Sequence, residues 1–286
     1  MKSSNRKKEK MSSRPRIAFL GDLTVDKYVN SGDIKLGGGA LNSAIWARRL
    51  RAQVSVITAV GDDAEGLRMI EKLTSEHIDV SHIRTIRGAT SAIEIFVNAQ
   101  GERRYGVWDP GTLTAYHINQ EDVRFLKTCS AVSVTVYPQF VHVLDELRSV
   151  RSQKTKNPLI LINYGDLGEF SGNTRVVEEY IDVSDILMFG LDKDTDETLI
   201  NTLRQLAADT KKLIIITLGK FGSIAYAGDK AFIQPTAEVV PVDATGAGDA
   251  FLAGFIVNFR GVRTMSDSLR AGTAAAVKVL GYIGAY

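Results

Sequence analysis

From Asn119 onward the chain repeats one unit: a short, continuous apolar run followed by an amphipathic segment of helical length. Ala131 to Val136, Leu159 to Ile162, Ile186 to Phe189 and Leu213 to Thr217 are the runs. A strand that faces water on one side alternates apolar and polar residues. A strand that is apolar throughout is covered on both faces, which requires helices above and below a mainly parallel sheet. The unit also opens the chain. Arg16 to Leu20 ends at Gly21-Asp22, and Val54 to Val60 leads through Gly61-Asp62-Asp63-Ala64-Glu65-Gly66 into a helix carrying Leu67, Ile70, Leu73 and His77. Open α/β sheets bind ligands beyond the carboxyl ends of their strands. Asp26, Tyr137, Asn163, Asp166 and Asp192 stand at such ends, where each lines a cleft or caps a loop.

One stretch breaks this rhythm. Ser91 to Asn98 alternates at period two, Gln100-Gly101-Glu102 turns the chain, and Arg103 to Trp108 returns, a hairpin between α/β units. Its odd positions Ile93, Ile95 and Val97 form an apolar face that needs a cover, either a substrate beneath it or a second subunit. Arg103 and Arg104 read as solvated edge charges.

Composition narrows the partners. The 286 residues are 44% hydrophobic and 24% charged with a net charge of +2, ordinary for a globular protein with a substantial core. Part of the positive charge sits in Lys2, Arg6, Lys7, Lys8 and Lys10, so the remainder is near balance, which argues against nucleic acid or a membrane as partner. Met1 to Ser13 lacks the apolar stretch of a signal peptide and reads as a basic, disordered tail. Cys129 is the single cysteine and reads as a buried thiol. Cytoplasmic residence is the default expectation.

The chemistry concentrates late in the chain. Val242-Asp243-Ala244-Thr245-Gly246-Ala247-Gly248-Asp249-Ala250-Phe251 reads as a loop feeding a helix. With little side chain at Gly246, Ala247 and Gly248, backbone N–H groups at the helix start can close on an anion, which the helix dipole also favours. Asp249 adds a carboxylate to the same turn. An isolated Gly-x-Gly-Asp is a capped turn. Two Asp residues flanking Thr-Gly-Ala-Gly describe more: amides that hold a transferring phosphoryl group, and a carboxylate that takes the proton of an attacking hydroxyl.

The segment from Asp243 to Asp249 resembles the signature of the ribokinase-like (PfkB) family of ATP-dependent sugar kinases, with Ala244 where Thr is usual. Gly21-Asp22-Leu23-Thr24-Val25-Asp26 is similar to the family's opening strand, and Lys35-Leu36-Gly37-Gly38-Gly39-Ala40-Leu41-Asn42 to its amino-terminal signature, with Gly39 where many members carry Lys. Thr217-Leu218-Gly219-Lys220-Phe221-Gly222 matches the nucleotide segment.

The resemblance implies a three-layer ribokinase-like sandwich over 14–286, with a small β lid from about 28–36 and 91–109 that often forms a dimer contact. It assigns the base to Asp249 and the anion hole to Gly246, Ala247 and Gly248. Asp26, Gly38, Gly39 and Asn42 hold the sugar, and Thr217, Gly219 and Gly222 face the nucleotide. ATP and Mg2+ are the implied cofactors, with K+ near Asp243 and the Thr245 carbonyl. The pattern departs after Phe189, where Gly190-Leu191-Asp192-Lys193-Asp194 replaces the usual Asn-x-x-Glu of magnesium handling and leaves Asp192 or Asp194 to act through water.

That departure and the ending Val279 to Tyr286 resemble the fructoselysine 6-kinase branch, which implies a fructosamine or ketose acceptor. The alternative is a non-catalytic sugar-binding or regulatory paralogue of the same fold. A dinucleotide-dependent oxidoreductase is disfavoured, since Gly21-Asp22-Leu23-Thr24 lacks the glycine-rich turn that class needs after its first strand.

Overall fold

A computed structural model describes residues 14–97, 103–151, 157–281 and 284–286. The tail Met1 to Ser13, the hairpin turn Gln100-Gly101-Glu102, the side chains of Val97 and Arg103, and Tyr282 and Ile283 lie outside the described residues. In chain order the strands are β1 (Arg16–Leu20), β2 (Thr24–Tyr28), β3 (Ile34–Gly37), β4 (Gln53–Gly61), β5 (Asp79–Ile86), β6 (Ala92–Val97) and β7 (Arg103–Asp109). They continue with β8 (Ala131–Thr135), β9 (Leu159–Asn163), β10 (Ile186–Gly190), β11 (Leu213–Thr217), β12 (Ser223–Ala227) and β13 (Lys230–Gln234). The helices are α1 (Gly39–Arg49), α2 (Ala64–Ser75), α3 (Gln120–Leu126), α4 (His142–Leu147), α5 (Arg175–Glu179), α6 (Glu197–Thr210), α7 (Ala247–Asn258) and α8 (Met265–Val279).

Nine strands form one sheet in the order β13-β12-β11-β10-β9-β8-β1-β4-β5. Pairing is parallel from β5 through β11, and only β12 and β13 run antiparallel at the far edge. The apolar runs explain this sheet. Successive residues of a strand point to opposite faces, so Ile17 and Phe19 of β1 enter one core while Ala18 and Leu20 enter the other. The first core is closed by α1, α2, α7 and α8, and the second by α3 to α6. This is the three-layer α/β sandwich. Helix α7 lies innermost: every residue from Ala250 to Val257 is buried, as an all-round apolar sequence requires.

A second sheet, β3-β2-β6-β7, stands apart. It takes in β2, where sequence reading expects only a strand mouth and a turn. Asp26 lies inside that strand, in register with Lys35 on one side and Ile93 on the other. The acidic turn after β4 is an anchor for this lid. Asp63 caps α2 by accepting from the Gly66 N–H (2.8 Å) and also accepts from the Thr90 N–H (2.7 Å), while Asp62 accepts from the Gly88 N–H (2.9 Å). These bonds tie the start of α2 to the loop that feeds β6.

Candidate active site

The loop before α7 is held from behind. Both Asp243 carboxylate oxygens accept backbone N–H groups, one from Thr245 (2.9 Å) and one from Gly284 (2.9 Å), and the Val242 N–H reaches the Leu280 carbonyl (2.8 Å). The turn then needs glycine. Gly246 has φ 75°, and a Cβ there would fall 2.5 Å from that of Ala285. At Gly248 the space where a Cβ would stand is open. Within the first turn the Ala247 N–H returns to the Ala244 carbonyl (3.2 Å) and the Ala250 N–H to Gly246 (2.8 Å). The N–H groups of Gly248 and Asp249 occupy orphan positions of the helix start and have no backbone partner, whereas that of Ala247 is already engaged by Ala244.

Asp249 is half-buried beside them, and its Oδ2 accepts a hydrogen bond from Asn42 Nδ2 at 2.9 Å. Burial pushes its carboxyl up to about 7; the charges of Asp22 and Asp26 push the same way, and the Asn42 bond opposes them. A carboxylate in this state is suited to taking a proton near neutral pH.

A cleft of about 360 Å³ opens in front of this helix start, between the carboxyl ends of β1, β8 and β9 and the lid sheet. It gathers Asp26, Gly38, Gly39, Asn42, Thr245, Gly246 and Asp249 on one wall system. The three glycines at the entry to α1 answer to three different neighbours. A Cβ on Gly37 would fall 2.7 Å from both carboxylate oxygens of Asp26. Gly38 has φ 103°, and its Cβ would meet the Asp22 carbonyl at 2.5 Å. Gly39 gives its N–H to Asp22 Oδ1 (3.0 Å), so this amide is already occupied.

Sequence reading passes over Asp22, which organises the floor of the cleft. It is 5% exposed and accepts from Gly39, from Thr24 Oγ1 (2.8 Å) and from Tyr137 OH (3.3 Å). Burial raises its pKa above the ordinary carboxylate range, with those three bonds opposing.

Thr217, Gly219 and Gly222 lie two strands further along the same sheet edge, at the end of β11, and do not line the cleft. Gly219 (φ 52°) has open space where a Cβ would be. Gly222 (φ 87°) is needed for packing, because its Cβ would fall 2.1 Å from the Gln234 carbonyl. Lysines gather at this edge: Lys193 and Lys220 both lie over the Phe221 ring, at 4.8 and 5.1 Å.

The acids that replace Asn-x-x-Glu close their own turn. Asp192 Oδ1 accepts from the Asp194 N–H (2.8 Å) and the Thr195 N–H (3.2 Å), and Asp196 Oδ2 accepts from the Asp192 N–H (2.7 Å). Asp192 and Asp196 thus spend carboxylate oxygens on their own turn, and among the described residues these acids are not grouped closely enough to share a metal ion.

Orphan helix-start amides beside a carboxylate poised near neutrality, facing a cleft with polar walls, define a phosphotransferase acting on an alcohol. The chain matches the pfkB family carbohydrate kinase model over residues 18–286 and belongs to that family. It is thus an ATP-dependent carbohydrate kinase. It is 27% identical over 270 residues to the fructoselysine 6-kinase of Escherichia coli, spanning 94% of this chain and 99% of that protein. It is 26% identical to the fructosamine kinase FrlD of Bacillus subtilis over 95% of this chain and 93% of that one. The fold is that of Vibrio cholerae fructokinase, solved with fructose, ADP and calcium (TM-score 0.76, 19% identity, 96% and 95% covered). Thermotoga maritima ribokinase is similar to the same degree (TM-score 0.75, 20% identity, 95% and 94% covered). These relatives are kinases by name, and nothing in them or in the site favours the non-catalytic alternative.

Proposed function

We propose that the acceptor is a fructosamine-type ketose and that Asp249 is the general base. Asp249 removes the proton of the acceptor hydroxyl. That oxygen forms the new bond to the γ-phosphorus of ATP, the bond from the γ-phosphorus to the bridging oxygen breaks, and ADP leaves. The N–H groups of Gly248 and Asp249, with Gly246 shaping the turn, hold the transferring phosphoryl group. Asp26, Gly38 and Asn42 bind the acceptor hydroxyls. Gly39 contributes by keeping space open beside Thr135, whose Oγ1 would lie 3.2 Å from a Cβ at this position.

Thr217 and Gly219 bind the nucleotide, with Gly222 fixing their turn. Mg2+ enters as the MgATP substrate and neutralises its phosphate charge. A monovalent ion such as K+ near Asp243 and the Thr245 carbonyl is part of the same reading, tested by replacing K+ with tetramethylammonium. So are cytoplasmic residence, where the ATP is, and a homodimer through the lid.

The observation that carries the catalytic assignment is the meeting, at one helix start, of amides without backbone partners and the Asp249 carboxylate with its Asn42 partner at 2.9 Å. The fructoselysine and fructosamine kinases among its relatives support the acceptor class. The deciding assay is coupled ADP release with MgATP over ketoses, pentoses, nucleosides and fructosamines. The fructosamines are expected to give the highest kcat/KM. Preferred turnover of a pentose or nucleoside would remove the acceptor assignment, and an Asp249→Asn variant with ordinary kcat would remove the base.

A further inference from the structure

The cleft walls carry charge of a single sign. Five carboxylates line it, those of Asp22, Asp26, Asp166, Glu169 and Asp249, and among the described residues that line it there is no Lys, Arg or His. The first two and Asp249 have uses in the reading above. Asp166 and Glu169 do not. Both are exposed and sit on the turn after β9, where Leu167 is fully buried with φ 62° and pins the turn to the core. Asp166 Oδ1 caps the turn by accepting from the Gly168 N–H (2.7 Å). Glu169 is near enough for its charge to act on the Tyr137 hydroxyl, as those of Asp22 and Asp249 do.

Two further features point to a ligand. Asn42 lines the cleft, is 6% exposed, and keeps one buried polar atom, its Oδ1, without a protein partner. Unpaired buried groups beside a cleft are places for a ligand to bond. Trp108 and Tyr137 also stand together on the wall, ring centroids 4.8 Å apart, and offer aromatic faces of the kind that attract a cation.

A neutral sugar has no need of a wall whose charged groups are all negative. An acceptor that already carries phosphate is repelled by it. A protonated amine suits it. We infer that Asp166 and Glu169 recognise an ammonium group on the acceptor, so that this kinase selects amino-substituted ketoses over neutral ones and rejects ketoses with an anionic group at the same position. This rests on the kinase reading above and adds the residues that set its acceptor charge.

The test varies charge at one carbon: 1-amino-1-deoxyfructose, fructose and fructose 1-phosphate, each with MgATP and the full-length protein, wild type and Asp166→Asn/Glu169→Gln. In the wild type kcat/KM should be at least about tenfold higher for the amine than for fructose, with fructose 1-phosphate the poorest; the double variant should erase most of that ratio. A ratio that the variant leaves unmoved overturns the inference. So does an equal fall for all three acceptors, which would place the two acids on the nucleotide's metal instead. Turnover of fructose with no advantage for the amine sinks the inference and leaves the kinase reading standing. If no acceptor releases ADP, the proposed function fails by itself, and calorimetric titration then decides: tighter binding of the amine than of fructose, lost in the double variant, upholds the inference, and equal binding overturns it.

Discussion

At the scale of single residues, Asp249 has two properties with one cause. Burial beside Asp22 and Asp26 holds its carboxyl near 7, against about 4 for an unperturbed Asp. As the proposed base it must be deprotonated, so kcat/KM of the free enzyme should fall about tenfold per pH unit below 7 and level off above it. Stability has the opposite slope. The folded state keeps a proton that the unfolded chain has lost between about pH 4 and 7, so the contribution of this group declines as pH rises through that window. Asp249→Asn should lower kcat by about 100-fold or more. Its Tm relative to wild type should be highest at pH 8 and converge towards wild type at pH 5. A variant that loses Tm equally at every pH would show that the substitution damages the fold instead. The two glycines of the turn divide the same question. Gly248→Ala meets open space on a helical backbone and should be neutral or stabilising by up to about 1 kcal/mol, yet it puts a methyl where phosphate approaches and should weaken catalysis. Gly246→Ala meets Ala285 at 2.5 Å on a φ of 75° and should lower both Tm and activity. Equal effects of the two on thermal melting would contradict this division.

At the scale of elements, the turn before α7 is a loop whose shape is fixed by a distant segment. Asp243 bridges Thr245 and Gly284, Trp46 Nε1 donates to the Ala285 carbonyl (2.8 Å), and Tyr286 OH donates to the Leu36 carbonyl (3.1 Å). One strap thereby joins the start of α7, helix α1 and lid strand β3. Asp243→Ala should cost about 1–3 kcal/mol by orphaning two backbone donors, and should lower kcat at least tenfold because the turn loses its brace. Asp243→Asn keeps one acceptor and should fall between; unchanged activity in the Ala variant would show that the strap does not shape the turn. Such links bound what the chain discloses in one dimension. The buried parallel strands are legible because a strand apolar on both faces has few homes, and the glycine-rich turn because small residues beside Asp249 have a chemical use. Strand β2 is not legible: Thr24-Val25-Asp26-Lys27-Tyr28 carries two charges and becomes a strand only by pairing with β3 and β6. Edge strand β5 alternates exposed and half-buried positions except at Ile83, but polar His82 and Arg84 stand on its half-buried side, so the sequence hides the alternation. Asp22 is invisible for another reason, since its partners Gly39 and Tyr137 stand 17 and 115 positions away.

At the scale of the whole molecule, the lid sheet presents two kinds of apolar residue. Ile95 is buried and Ile93 lines the cleft, so that part of the hairpin already has its cover. Val29, in the turn just after β2, and Ile34, Tyr105 and Val107 on the same small sheet are 48%, 46%, 62% and 71% exposed. Tyr105 also borders the cleft, where a bound acceptor would cover it. Val107 has no such use. Four strands are a thin platform for that much exposed apolar surface, and the proposed homodimer would cover it with a second copy of the lid. A two-fold contact buries one Val107 from each copy, so a substitution acts twice; burying one Val is worth about 1.5–3 kcal/mol, and a charge at this position should weaken the dimer by a factor of about 100 or more. Sedimentation velocity at micromolar concentration should give a dimer for the wild type and a monomer for Val107→Lys. The monomer should retain its secondary structure while its KM for the acceptor rises, since a lid without its partner closes less well over the cleft. A wild type that sediments as a monomer would remove the dimer, and the exposed face would then need another occupant.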